Sequence, residues 1–145
     1  ITLITLLFYR SWQTSLLILL VNVIPLLLLF GLMGLLGIDL NISTAIIFTV
    51  AFGIAVDDSI HLISRYRLEK EAGKSKDEAL DLARYQTGKS ILFTSIAISL
   101  GFGVLLGSGF SAVYYLGLFI CSTALIAVWF DLKLLPYLIA KWKVL

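Results

Sequence analysis

Four long apolar stretches constrain the fold of this chain more than any other feature. They cover residues 14–37, 41–64, 90–107 and 112–140, of which the third is slightly short for a membrane span. A helix needs about 20 apolar residues to cross the hydrocarbon core of a bilayer. Soluble domains contain about 45–50% apolar and about 25% charged residues, whereas this chain is 60% hydrophobic and 14% charged. The sequence therefore predicts an all-α fold, a polytopic transmembrane helix bundle.

A fifth apolar run opens the sequence. Residues 1–9 are too short to cross a bilayer, and we interpret them as the end of a truncated first helix. They lack the basic start and the small-residue cleavage site of a signal peptide. We expect residues 1–145 to form a single transmembrane domain with four complete spans.

Basic residues follow an alternating pattern along the chain. The turns around residues 37–41 and 108–111 contain no Lys or Arg, whereas the connection between the second and third spans is rich in them. By the positive-inside rule, the basic segments and the C-terminus face the cytoplasm. The net charge of +2 is too small to suggest nucleic-acid binding. The basic residues of that connection are Arg65, Arg67, Lys70, Lys74, Lys76, Arg84 and Lys89.

The same connection has the signature of a short helix. Ser75 and Glu78 have the spacing of a capping box at a helix start, and a weak amphipathic pattern follows until Gly88. The sequence predicts a short cytoplasmic amphipathic helix near residues 75–87. It lies along the membrane surface or serves as a solvated connector.

Two adjacent acids, Asp57 and Asp58, stand near the end of the second apolar stretch, after residues 41–56, which carry no charge. A charged residue at the centre of a membrane helix costs about 2.5–3.5 kcal/mol on insertion scales. The structural alternative is an ion pair of Asp57 with His61, four residues later, or with a nearby basic residue. We favour a proton relay formed by Asp57 and Asp58.

Other polar residues are candidates for a proton path beside the acids. His61 lies on the same helix face as Asp58. The alternative is that His61 is an interfacial residue near the cytoplasmic end of the helix. Thr94, Ser95 and Ser99 on the next span offer hydroxyls for a hydrogen-bonded path. The alternative is that these hydroxyls bond the backbone of their own helix.

A glycine and a third acid also suggest specific contacts. Gly53 lies one turn before Asp57 and exposes backbone, so we expect it to allow close packing of a neighbouring helix. Asp131 stands beside Lys133 near the end of the last span. We expect a local or interhelical ion pair there in preference to a second proton site.

Longer motifs carry a family resemblance. The segments FGIAVDDSIHLISRYRLEKEAGKSKDEAL (52–80), GKSILFTSIAISLGFGVLL (88–106) and DLKLLPYL (131–138) resemble exporters of the resistance-nodulation-division (RND) superfamily. The most similar branch is the hydrophobe/amphiphile efflux type, related to the mycobacterial membrane protein large (MmpL) transporters and to sterol-sensing proteins. Gly53, Asp57 and Asp58 match the specific part of the pattern.

The resemblance implies a fold and a function. Such proteins resemble two copies of a unit that contains one helix, a large porter domain and five further helices. This chain is similar to the C-terminal five-helix block, so it would work with an N-terminal half and a porter domain of the same protein, as part of an oligomer. The implied function is proton-motive-force-driven export (proton antiport) of lipids or other hydrophobic or amphiphilic substrates. The implied location is the inner (cytoplasmic) membrane of the cell.

Two other classes of function are alternatives to export. One is a sterol- or lipid-sensing or scaffold domain that transports nothing. The other, an intramembrane enzyme, has little support, because the sequence shows no Ser/His dyad spacing, no HExxH motif and no metal cluster. Adjacent acids on one helix also point about 100° apart and cannot face each other across a substrate. We therefore expect neither enzymatic activity nor a metal or cofactor.

Overall fold

A computed structural model describes residues 11–40 and 42–142, and these residues are helical apart from short turns, with no strand among them. The predicted all-α bundle is confirmed, while residues 1–9, expected to end a further helix, lie outside the described part. The elements in chain order are α1 (Trp12–Leu35), α2 (Ile42–Glu71), α3 (Lys76–Gly103), a 3₁₀ turn (Val104–Gly107), α4 (Ser111–Trp129), a π-helical turn (Phe130–Leu134) and α5 (Leu135–Lys141).

Among the described residues, four helical stretches are long and apolar enough to cross a membrane. They correspond to the four predicted spans, but the second and third extend well beyond the apolar residues at the end where α2 leads into α3. The four stretches are Trp12–Leu35, Thr44–Glu71, Lys76–Gly107 and Ser111–Lys141.

The helix predicted near residues 75–87 is the first part of a longer one. Its start is as expected: the Ser75 hydroxyl accepts the Glu78 backbone N–H at 3.3 Å, and the Glu78 carboxylate accepts the Ser75 N–H at 3.1 Å. The predicted end at Gly88 is wrong, because α3 continues to Gly103. Glycine costs a helix only about 1 kcal/mol relative to alanine. A Cβ at Gly88 would lie 3.2 Å from a Leu132 methyl group, so glycine serves close packing there.

Glycines with positive φ end the first two helices. Gly37 follows α1 with φ 64°, and Gly73 follows α2 with φ 85°. In both cases the next residue donates its N–H to a carbonyl five positions earlier, at 3.0 Å for Ile38 and 3.3 Å for Lys74. This bonding is the Schellman motif, in which glycine avoids the steric penalty of the left-handed conformation.

The helix that carries the two acids is central to the bundle. Helix α2 packs against α1, α3 and α4, and α4 also packs against α1 and α3. In a bilayer such contacts are held by van der Waals packing and interhelical hydrogen bonds. The buried core forms two clusters. One includes Leu17, Val21, Leu62, Ile63, Tyr66, Ile91 and Leu135, and the other Leu29, Met33, Ile47, Phe119 and Ile120.

Close helix packing occurs at a glycine other than the predicted one. Gly53 is exposed, and no described atom of a neighbour lies within 4 Å of a Cβ built there. No described helix makes the close contact expected at Gly53, and that contact stays a prediction. Gly117 on α4 has this role instead: its Cβ would lie 2.7 Å from the Phe102 carbonyl oxygen and 2.9 Å from the Leu105 Cβ.

The described Lys and Arg residues gather toward one end of the bundle, where α1 begins, α2 leads into α3 and α5 ends. We call it the basic end. The turns at the opposite end contain Asp39 but no described Lys or Arg. The alternation predicted from the sequence is thus present in the fold, and the cytoplasmic location of the basic end stays a prediction.

Candidate functional site

Asp57 and Asp58 are neighbours in sequence but lie in different environments. The Asp57 side chain is 71% exposed, whereas Asp58 is buried, with 7% of its surface accessible. Consecutive helical residues point about 100° apart, so one acid of α2 faces outward while the next turns toward the bundle. The adjacent pair thus provides one accessible and one enclosed carboxyl group.

His61 lies next to the accessible acid. Its Nε2 atom is 3.6 Å from Oδ1 of Asp57, and the imidazole is 67% exposed. The distance is too long for a hydrogen bond but short enough for an ion pair when the imidazole is protonated. The pairing that the sequence offered as a structural alternative is therefore present, on the exposed face of α2.

Basic residues near the acids are engaged elsewhere. Arg65 and Lys74 both bind the carboxylate of Glu69, which is 5% exposed, and Arg67 pairs with Glu71 at 2.9 Å. No described ion pair includes Asp58. If Asp58 were charged, its charge would have no direct cationic partner among the described residues.

A polar cleft opens beside the acids, between α2 and α3. Its volume is about 430 Å³, and it reaches toward the basic end of the bundle. Asp57, Asp58 and His61 stand on one wall, and Thr94 stands on the other. The remaining lining residues are Ser64, Arg65, Leu68, Gln86, Thr87, Ser90 and Ile91.

The predicted path residues divide into two groups. Thr94 shares the cleft with the acids, but its hydroxyl donates to the backbone carbonyls of its own helix, at 3.1 Å to Ser90 and 3.0 Å to Ile91. Ser95 and Ser99 do not line the cleft. Their buried hydroxyl oxygens have no hydrogen-bond partner in the described structure. The structure thus brings His61 and Thr94 to the acids and leaves Ser95 and Ser99 apart from them.

Comparison with known proteins identifies the family. A model of the MMPL family matches residues 1–142. The chain belongs to the MMPL family. It is also 33% identical over 102 residues to MJ1562, a putative membrane protein of Methanocaldococcus jannaschii, in an alignment that covers 70% of this chain and 26% of that protein. The chain therefore spans about a quarter of that curated relative.

Membership in the MMPL family confirms the resemblance seen in the sequence. The chain is a multi-pass membrane protein, related to RND-type transporters, and its described part has four helical stretches that can span a membrane. Among the described residues, no three His, Cys, Asp or Glu side chains group so as to hold a metal ion. The family match supports a role related to transport.

This MMPL-family chain has a further buried acid, whose environment the sequence did not predict. Asp131 is 1% exposed and lies in the π-helical turn. Its Oδ1 accepts the Ser59 hydroxyl at 2.5 Å, and the Ser59 oxygen accepts the Asn22 side-chain amide at 2.8 Å. The expected ion pair is wrong for the described residues, since no salt bridge there includes Asp131. Lys133 is exposed on another surface.

Asn22, Ser59 and Asp131 form what we call the buried polar chain. It joins α1, α2 and the π-helical turn through side chains that are each at most 1% exposed. The sequence signal for it was weak, because Asn22 is a single polar residue within a long apolar run and Ser59 stands directly after the two acids, which are the more prominent feature. Polar residues in such runs face the bundle interior as a rule, but only the fold shows that these three meet.

Proposed function

We propose that this chain is the transmembrane proton-relay module of an RND-type exporter, which uses the proton-motive force to move lipids or other hydrophobic or amphiphilic compounds. Asp57 and Asp58 take up and release the protons. The observation that carries the proposal is the pairing of an enclosed acid with an accessible one beside a polar cleft, on the central helix of a membrane bundle.

The energetics of burial support a change of protonation at Asp58. An ionised carboxyl group without a cationic partner is costly inside a membrane, by about 2.5–3.5 kcal/mol on insertion scales. Proton uptake removes that cost, so the protonated and ionised states favour different surroundings for the side chain. Because Asp58 lies on the helix that packs against α1, α3 and α4, a change in its surroundings alters the packing of the bundle.

The cleft suggests the route by which protons reach Asp58. Asp57 and His61 are exposed at its wall, and both side chains can exchange protons with water. Asp58 lies next to them with little access of its own. Protons would pass between the basic end and Asp58 through water and these two groups. We assign the basic end to the cytoplasmic side of the inner membrane.

The exposed side chains of Asp57 and His61 also argue for a protein partner. Charged side chains in membrane spans almost always face a bundle interior or a water-filled cavity, yet Asp57 and His61 face outward from the described helices. We propose that the other half of the same protein covers this face, and that a porter domain binds the substrate.

Transport by the full-length protein in lipid vesicles tests the proposal. With an imposed pH gradient and Nile red as the hydrophobic probe, the parent protein should move the dye, while Asp57→Asn and Asp58→Asn should abolish gradient-driven movement. Asp81→Asn is the matched control, because Asp81 is an exposed acid on α3 and should leave transport unchanged. Normal transport by both Asp57→Asn and Asp58→Asn would refute the relay.

A further inference from the structure

The buried polar chain poses a question of charge balance at Asp131. One oxygen of this carboxyl group accepts a single hydrogen bond, from Ser59. The other, Oδ2, is buried and has no hydrogen-bond partner in the described structure. Carboxylates retained inside proteins are paired with cations or satisfied by several donors. Asp131 has neither, so an ionised Asp131 is not compensated in this arrangement.

Charged groups on the surrounding elements do not supply the missing compensation. Helix α1 contains no charged residue. On α2, the residue before Ser59, the donor to Asp131, is Asp58, another acid. Lys133 lies two residues away, but it lines a different surface depression, where Asp81, Arg84 and Lys89 also lie. The group bonded to Asp131 is thus a neutral donor, and the charged residue beside that donor in sequence is another acid.

We propose that Asp131 is a further proton-binding residue, seated on Ser59 and Asn22 between three helices, and that its protonation is coupled to that of Asp58. This inference extends the proposed relay to a second acid on another helix. The unpartnered Oδ2 is the atom that carries the proton. Two acids within electrostatic reach of each other titrate as a pair, because ionisation of one opposes ionisation of the other.

The position of the buried polar chain explains how such a proton would act on the fold. Asn22 donates to Ser59 and also to the Ile18 carbonyl of its own helix, both at 2.8 Å. One turn later, Pro25 interrupts the backbone hydrogen bonds of α1. At the other end, Asp131 lies in a π-helical turn, a feature frequent at functional sites. A change of charge at Asp131 therefore acts on the contact among α1, α2 and the π-helical turn. Two of these elements are irregular there: α1 at Pro25, and the π-helical turn itself.

Infrared difference spectroscopy tests the inference on the full-length protein in lipid vesicles. The protein is taken through a pH series, and the carboxylic-acid C=O stretch is recorded. We expect a pH-dependent component that Asp131→Asn removes and Asp81→Asn retains. Asp58→Asn should move the pH at which this component is half-developed. The inference is overturned if the Asp131→Asn and parent spectra agree across the series, or if Asp58→Asn leaves the midpoint of the Asp131 component unmoved.

A second variant keeps the test valid if Asp131→Asn fails to fold. Ser59→Ala leaves the acid in place but removes its hydrogen-bond donor, so the C=O frequency of the same component should shift. No shift would overturn the inference. The pH series is repeated with sodium replaced by N-methylglucamine. If the infrared component responds to sodium at constant pH, the inference of a proton site is overturned in favour of a cation site.

The spectra also separate this inference from the proposed relay. They do not require transport. If Asp131 titrates but the Asp57→Asn and Asp58→Asn variants still move Nile red, the inference is sustained and the relay is refuted. If the spectra contain no component from Asp131 but the Asp57→Asn and Asp58→Asn variants no longer move Nile red, the relay is sustained and the inference is overturned.

Discussion

Replacement of Ser59 by alanine isolates the energy of the buried polar chain. The hydroxyl of Ser59 accepts the Asn22 amide at 2.8 Å and donates to Asp131 at 2.5 Å. Ser59→Ala removes both bonds with a small change in volume. Asn22 keeps its bond to the Ile18 carbonyl, but Asp131 loses the donor to Oδ1 and retains no described hydrogen bond to its carboxyl group.

The expected loss follows from those contacts. A hydrogen bond contributes about 0.5–1.5 kcal/mol to stability, and a buried acceptor left without a partner costs about 1–3 kcal/mol. Measured interhelical hydrogen bonds in a membrane protein average about 0.6 kcal/mol, so the loss of two such bonds sets a lower end of roughly 1 kcal/mol. We therefore expect Ser59→Ala to lower the free energy of unfolding of this domain by about 1–3 kcal/mol.

Ser95→Ala is a closely matched control for this prediction. Ser95 is a serine of similar burial, 2% exposed against 0% for Ser59, but its hydroxyl has no hydrogen-bond partner in the described structure. Its replacement removes no hydrogen bond, so it should leave the free energy of unfolding unchanged or raise it, because an unpaired buried hydroxyl is costly. The difference between the two variants measures the hydrogen bonds and not the loss of a hydroxyl as such.

Steric trapping in bicelles provides the assay. Streptavidin binding to two biotin labels on this domain of the full-length protein reports its unfolding, so the free energy is measured without denaturant. Ser59→Ala and Asp131→Ala should be non-additive, since each removes one partner of the same hydrogen bond. Equal costs for Ser59→Ala and Ser95→Ala, or additive costs in the double variant, would refute the reasoning.

Two more predictions concern packing and topology. Gly117→Ala should lower the free energy of unfolding by about 1–3 kcal/mol, because its Cβ would lie 2.7 Å from a backbone oxygen of α3. The control Gly101→Ala meets no neighbour within 4 Å and should be neutral or stabilising by up to about 1 kcal/mol. Similar costs for the two variants in the steric-trapping assay would contradict the packing. In a Cys121→Ala background, a membrane-impermeant maleimide should label Asp81→Cys only from the cytoplasmic side and Asp39→Cys only from the opposite side. Labelling of both cysteines from the same side would contradict the topology.

Much of the fold could be predicted from composition and local patterns. The four spans follow from apolar runs of sufficient length, which depend on no long-range contact. The start of α3 follows from Ser75 and Glu78, because a capping box involves residues only three positions apart. The alternation of basic segments places the turns on two sides, and the fold agrees with it.

Glycine roles could not be predicted, because they depend on which helix lies opposite. Gly88 resembled a helix end, but Leu132 packs over it and the helix continues. Gly53 resembled a close-packing site, yet no described neighbour approaches it. Gly117 carries no local signal that sets it apart from other glycines, although its Cβ would clash with the last turns of α3.

The candidate site was predictable in part. Asp57 and Asp58 stand out because charge is rare in an apolar stretch, but the sequence does not tell which of the two is enclosed. The partners of Asp131 depend on the tertiary fold: Ser59 is 72 positions away along the chain, and a further 37 positions separate Ser59 from Asn22. Lys133, only two positions from Asp131, was the natural expectation, and the helical geometry instead turns it to an exposed surface.

Proton movement itself is the most direct test of the relay at Asp58. The full-length protein is reconstituted in vesicles that contain the pH-sensitive dye pyranine, a pH gradient is imposed, and the change in internal pH is followed with Nile red present as the transported probe. We predict that Asp58→Asn lowers the probe-dependent proton flux to that of protein-free vesicles, while Asp81→Asn retains the parent flux. A flux through Asp58→Asn equal to that of the parent would contradict the assignment of Asp58 as a proton carrier.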